Sequence, residues 1–281
     1  MFALRKTADM YEDAEGKEAA EFVRKNFYID DGLTSVDSED EAIDLIDSTR
    51  KMCTRGGFTL HKLLSNSVKV LESVSPESRC SELQSLDVGT VCLPVQRALG
   101  VEWDTETDVL QFSVQPCKKP STRRGILSTV SSVFDPLGFV SPFILRGKQI
   151  VKELCRDGIG WDDPVPDDIL TRWGDWTSQL EALSSLRIPR CYRTSDFGLV
   201  KRTELHHFSD ACTHGYGQCS YLRLIDEQDR VCCRLVMSKA RVTPSKPVTV
   251  PRLELTAALT SVQVSCFLRE ELDIEDLAEY F

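Results

Sequence analysis

Two places in the sequence bring carboxylates into patterns suited to metal-dependent chemistry. The first is Phe27-Tyr-Ile-Asp-Asp-Gly-Leu33, where Asp30 and Asp31 follow an aromatic, β-branched run and precede a glycine. Adjacent carboxylates supply the hard oxygen donors that Mg²⁺ takes, provided they converge with substrate phosphates. An arbitrary Asp-Asp-Gly is a solvated acidic turn; Phe27-Tyr28-Ile29 makes this one the tip of a strand pair. The second couples Asp210, in Phe208-Ser-Asp-Ala211, with Glu254, in Pro251-Arg-Leu-Glu-Leu-Thr-Ala-Ala-Leu259. Glu254 shares a helical stripe with Ala257, Ala258 and Ser261, small residues that pack on a sheet. An unpaired carboxylate there is costly unless a metal ion compensates it. A glutamate in a first helical turn also interacts favourably with the helix dipole, and spacing alone leaves both readings open.

Other chemistries find no support in the residues. His61, His206, His207 and His214 form no His-x-x-x-His pair, and His206 and His207 point to opposite faces of a strand, so these are structural or surface residues. The 11 cysteines are scattered without a Cys-x-x-Cys pair, which speaks against zinc and a disulfide framework and for free thiols, most of them small core residues. No phosphate-binding Gly-x-x-x-x-Gly-Lys-Ser/Thr loop or Gly-x-Ser-x-Gly elbow is present, no dinucleotide cofactor is expected, and an aspartic peptidase would need an Asp-Thr/Ser-Gly loop that is absent.

The elements that must position the carboxylates follow from periodicity. A capping box, Ser38 with Glu41, opens a helix whose face carries Ala42, Leu45, Ile46, Thr49, Met52 and Cys53 and which stops at Gly56-Gly57. Alternation at Leu99, Val101, Trp103 and at Leu110, Phe112, Val114 predicts a second hairpin. Helices are expected over about 124–134, from Ser141-Pro142 to before Gly158, and along Ile169, Trp173, Trp176, Leu180 and Leu183, where both tryptophans read as core. Strands at about 205–211, 216–225 and 231–237 then precede a helix from Pro251 to about Leu272, a β-β-β-α order whose strands form a meander.

The 281 residues, 41% hydrophobic and 28% charged, suggest about two domains and exclude a disordered or collagen-like polymer. Net charge is −10, so the surface as a whole cannot act as a polycation. The acids concentrate in residues 1–50, with 14 against six bases, while residues 118–152 hold seven bases (Lys118, Lys119, Arg123, Arg124, Arg146, Lys148, Lys152) against Asp135 alone. The start turns charged within five residues, and the longest apolar neighbourhood, 137–145, is far shorter than a membrane helix. The expected setting is intracellular, cytoplasmic and/or nuclear, with no membrane partner.

Tyr28-Ile-Asp-Asp31 resembles the Tyr-x-Asp-Asp hairpin of reverse transcriptases. With Gly56-Gly-Phe-Thr-Leu-His-Lys62, Arg124-Gly-Ile-Leu-Ser128, Phe134-Asp-Pro-Leu-Gly-Phe-Val-Ser-Pro142, Trp161-Asp162, Phe208-Ser-Asp-Ala211, Ser238-Lys-Ala-Arg-Val242 and Pro251-Arg-Leu-Glu-Leu255, the whole chain resembles the Pol polyprotein of BEL/Pao long-terminal-repeat retrotransposons, a family also catalogued as Pao retrotransposon peptidases. The resemblance implies an α+β chain: the later part of a reverse-transcriptase palm at 1–115, a helical thumb/connection at 116–188 and an incomplete RNase H-like α/β domain at 189–281. It implies RNA-directed DNA polymerase and RNase H as parent activities. It places Tyr28 by the primer end, Asp30 and Asp31 as polymerase Mg²⁺ ligands, and Asp210 and Glu254 as the first two RNase H ligands. Lys118, Lys119, Arg123, Arg124 and Lys148 would face the phosphates of a template–primer or RNA–DNA hybrid. The strand carrying a third RNase H aspartate is expected just beyond Tyr280-Phe281, and the first polymerase aspartate before Met1. With each carboxylate set incomplete, the chain alone is expected to be inactive in both reactions unless other Pol segments are supplied in trans. The competing expectation is a non-catalytic remnant that binds nucleic acid or a protein.

Overall fold

The computed structural model describes residues 1–83, 95–98, 101–114, 119–194 and 196–281, which divide into two compact units, Met1–Gln111 and Phe112–Phe281.

In the first unit, α1 (Phe2–Glu15) and α2 (Lys17–Lys25) precede a hairpin of β1 (Phe27–Tyr28) and β2 (Asp31–Gly32), and α3 (Glu39–Arg55) follows. The sequence reading expects no helix over residues 2–25, although α2 is amphipathic, with Glu18 in its first turn and Arg24 and Lys25 in its last; Leu4, Ala8, Ala19, Ala20 and Val23 pack with Phe27, Met52 and Cys53. The capping box at α3 is present. Ser38 accepts from the Glu41 amide at 3.2 Å, and the Glu41 carboxylate reaches back to the Asp37 amide. A short α4 (Val68–Ser73) and the antiparallel strands β3 (Val95–Ala98), β4 (Val101–Asp104) and β5 (Val109–Gln111) complete the unit. The expected hairpin is β4–β5, with Trp103 opposite Leu110; Leu99 lies outside the described residues.

The second unit starts with α5 (Arg123–Ser132), α6 (Ser141–Arg156), α7 (Asp167–Ser178), α8 (Leu180–Leu183) and the short β6 (Arg187–Pro189). Trp173 and Trp176 are core residues, their rings stacked 5.0 Å apart. Gly147 lets α6 approach closely, since a Cβ there would sit 2.7 Å from Val130 and 3.0 Å from Trp176. The start of α6 differs from expectation. Its N-cap is Val140, and the half-buried Asp135 carboxylate accepts from the Phe139 and Val140 amides at 2.8 and 2.9 Å, so a residue six positions upstream replaces a Ser141 cap.

Three twelve-residue strands, β7 (Val200–Ala211), β8 (Gly215–Asp226) and β9 (Val231–Val242), form the expected antiparallel meander, followed by α9 (Val250–Leu272). The sequence reading missed β10 (Ala278–Tyr280), which runs parallel to β7 with Ala278 opposite Glu204 and gives the order β10-β7-β8-β9. Leu205, Leu222, Val264 and Leu268 share the core between this sheet and α9. The loop before α6 is fastened to the β9 edge. Ser238 donates its amide to Leu137 O and its hydroxyl to Gly138 O at 2.8 and 2.6 Å, and a Cβ on Gly138, at φ +82°, would meet Ser238 O at 2.0 Å.

The expectation that most cysteines are core residues fails. Of nine described, Cys53, Cys80 and Cys232 are buried, and Cys155, Cys191, Cys212, Cys233 and Cys266 are exposed. The reason shows on α9, where Cys266 lies off the stripe of Ser261, Val264, Ser265 and Leu268 that faces the sheet. Among the described residues no helix is long and apolar enough to cross a membrane.

Candidate metal centre and nucleic-acid interface

At the first carboxylate pair, Tyr28 faces Asp31 across the β1–β2 ladder, and Ile29 and Asp30 form the turn. Phe27 anchors the hairpin edge-on against Phe22 at 5.2 Å, while Tyr28, Asp30 and Asp31 are exposed. Ile29 sits at φ 58°, a left-handed conformation that a β-branched residue seldom adopts.

At the second pair, element geometry sets the relation. The strand β10 begins opposite Glu204 soon after α9 ends at Leu272, so the C-terminus of α9 lies at the start of β7. Ser265 of α9 donates to Glu279, the register partner of Leu205, at 2.8 Å. Eleven residues back along the helix, about 16 Å, is Glu254. Five residues on along the strand, about 17 Å, is Asp210. Both therefore come to the same end of the sheet, Glu254 on the α9 side and Asp210, alternating with Leu205 along β7, on the face turned away from α9. Glu254 is exposed and lies past the first turn of α9, beyond the reach of the dipole reading. Of its expected stripe, Ala257 and Ser261 are buried and Ala258 is exposed.

Asp210 is exposed, accepts from the Ala211 amide at 2.8 Å, and lines a cleft of about 690 Å³ with Pro142, Leu145, Phe208, Cys219 and Ser238. Glu254 does not line this cleft, which α6 rather than α9 bounds. Among the described residues no three His, Cys, Asp or Glu side chains converge as a metal-binding group.

Between α9 and the sheet lies a buried polar chain. Ser220 donates to Gln218 Oε1 at 2.9 Å, which leaves its oxygen to accept from His207 Nδ1 at 2.8 Å. His207 Nε2 then faces Glu279 at 3.8 Å, too far for a hydrogen bond. Burial lowers the His207 pKa, outweighing the opposing pull of Glu279. Single-residue patterning identified His207 as structural but held no sign of this chain, because its members meet only through strand register.

The basic segment is largely committed to internal contacts. Lys119 bonds to Ser128, and Arg124 makes a bidentate pair with Asp162 at 2.9 and 3.0 Å. Arg123 donates to Ile159 O and covers the Trp161 ring at 4.3 Å. Lys152 donates to Thr243 at 2.6 Å. Lys148 and Arg146 are exposed, and Lys118 lies outside the described residues.

The family model of the Pao retrotransposon-like RNaseH-like domain matches residues 122–281. The chain belongs to that family. No curated protein matches it. The Pao match begins at Thr122, the cap of α5, so it takes in the helices α5–α8 together with the RNase H-like sheet and α9. In this Pao chain, a mixed helix-and-sheet retrotransposon Pol segment, the β10-β7-β8-β9 order and α9 carry Asp210 and Glu254.

Proposed function

We propose that this chain is the palm, connection and RNase H part of a BEL/Pao-type Pol, whose parent activities are RNA-directed DNA synthesis and cleavage of RNA in an RNA–DNA hybrid. The observation that carries the reading is the arrival of Asp210 and Glu254 at one end of the sheet in a Pao RNase H-like region. Both are exposed carboxylates whose oxygens suit Mg²⁺ in chemistry, approaching one end of the sheet from its two faces, and among the described residues no third donor converges with them. Bound there, Mg²⁺ would polarise a phosphodiester and activate water. The residues' own part is to offer oxygen donors from two rigid elements, with the cleft beside Asp210 giving access to the substrate.

The palm assignment rests on the resemblance at Tyr28-Ile-Asp-Asp31 and on a hairpin that presents Tyr28, Asp30 and Asp31 to solvent. Phosphate contacts fall to exposed bases such as Lys148 and Arg146 more than to Arg123 and Arg124, whose charges are already engaged. Among the described residues each centre offers two carboxylates, so the reading for the chain alone is hybrid binding without turnover, the non-catalytic reading standing alongside the catalytic parentage.

The test is to incubate the chain with a labelled RNA–DNA hybrid and Mg²⁺. The expected result is salt-dependent binding without cleavage, weakened by Arg146→Ala with Lys148→Ala. Cleavage abolished by Asp210→Asn or Glu254→Gln would overturn the inactivity, and no binding at low salt would overturn the nucleic-acid reading.

A further inference from the structure

The face of the sheet opposite α9 carries a second array of ligand-binding chemistry. Side chains alternate along a strand, so Glu204, His206, Phe208 and Asp210 share one face of β7, while Leu205 and His207 turn to α9. Register places Tyr280, His206 and Tyr221 in one row across β10, β7 and β8. His206 and Tyr280 stack at 4.7 Å with their rings 15° apart, and Phe208, two residues along β7, meets Tyr221 edge-on at 6.1 Å. These rings are unusually open: Phe208 is 57% exposed, Tyr280 47% and Tyr221 36%.

Beside the row, the buried carboxylate of Glu204 holds Arg202 and Arg223 at 2.6 Å each and His206 at 2.9 Å. One carboxylate between two guanidiniums leaves the patch net positive. Each guanidinium keeps further N–H donors for a phosphate, and a held fork loses little entropy on binding.

We propose that this face binds single-stranded nucleic acid, unpaired bases stacking on Phe208, Tyr221 and the His206–Tyr280 pair while Arg202 and Arg223 take the phosphates. The occupant follows from charge and ring geometry together. Cations beside open rings match a polyanion with exposed π-faces, whereas in a duplex those faces are hidden by the stacking of successive base pairs. A strand along β7 from Arg202 to Phe208 covers about 20 Å, room for about four nucleotides, and ends at the cleft beside Asp210.

The experiment is fluorescence anisotropy of the full chain with labelled twelve-nucleotide oligo(dT) and oligo(U) and with a twelve-base-pair DNA duplex, across a salt series. Phe208→Ala with Tyr221→Ala is expected to weaken single-strand binding by at least about tenfold, since each stacked base contributes about 5- to 150-fold, and Tyr221→Ala alone, outside the cleft lining, is expected to weaken single-strand binding more than duplex binding. Phe208→Tyr with Tyr221→Phe keeps the rings and is expected to keep the affinity. Arg202→Ala, at an exposed position that leaves Glu204 paired with Arg223, is expected to lower the salt slope by about one. The proposal is overturned if the chain binds neither oligonucleotide at low salt, if the ring-to-alanine variant binds like the parent while circular dichroism reports it folded, or if the face instead joins two copies of the chain.

Discussion

The turn at Asp30–Asp31 and the strand end at Asp210 are both acidic, yet what stands behind them differs. The first rests on strands of two residues, one ring contact between Phe22 and Phe27, and a strained Ile29. The second rests on three twelve-residue strands paired along their length with one register shift in each ladder, a parallel fourth, and a helix keyed through Ser265 and Glu279. Catalytic metal sites need donors held to a fraction of an ångström, and that precision comes from elements whose positions are determined many times over. A carboxylate motif therefore says what chemistry is available; the length of the supporting ladder says how firmly it is held.

The largest effect expected to test this contrast is on metal binding. Asp210→Asn or Glu254→Gln should weaken Mg²⁺ or Tb³⁺ binding, read by calorimetry or lanthanide luminescence, by on the order of tenfold or more, while Asp30→Asn changes it little. Equal losses from both regions would erase the distinction.

The next effect is on stability. Gly138→Ala pushes a Cβ into Ser238 O and strains φ, so the second unit should lose about 3 kcal/mol or more in a urea titration followed by tryptophan fluorescence. Gly57→Ala in the first unit, also at positive φ but with nothing within 4 Å of the new Cβ, should cost only about 1 kcal/mol. Comparable costs would mean that the contact with β9 contributes nothing.

The third concerns pH. Burial favours neutral His207, so the unfolded chain binds its proton more readily. The stability it contributes is complete above the unfolded value of about 6.5 and is lost as pH falls below that toward the depressed folded value, at no more than about 1.4 kcal/mol per pH unit. His207→Gln should flatten that part of the thermal-melt profile; an unchanged slope would assign it to other groups. The smallest effect is at the hairpin. Ile29→Gly relieves a left-handed β-branched residue and should stabilise the first unit by about 1 kcal/mol in the same denaturation assay, and a loss would mean that Ile29 makes contacts outweighing its strain.

Much of the fold was legible because period and punctuation agree. Ser38, Gly56, Gly158 and Pro251 mark helix ends, and alternation in 205–237 marks the meander. The opening helices went unread, although Ala19, Ala20 and Val23 mark the buried face of α2; α1 adds only Leu4 and Ala8 as buried residues of the same apolar core. The predicted single helix through Leu183 breaks at Gln179 into α7 and α8 although the apolar stripe runs on, because periodicity records burial and not backbone continuity. At the site, Asp210 and Glu254 were legible by residue type, but their shared end of the sheet depends on β10, whose three residues leave too short a pattern to read. The engagement of Arg124 by Asp162, 38 residues away, has no local signature at all.

The Leu137–Gly138 contact with Ser238 bears on how the chain comes apart. A strand edge whose amide is already answered by a loop has less freedom to recruit a neighbouring chain. The same fastening ties the α5–α6 turn to the third strand of the sheet, so helices and sheet should melt in one transition. A chain begun at the sheet alone would expose that amide and the unsatisfied edge around it, and aggregation would be its first symptom.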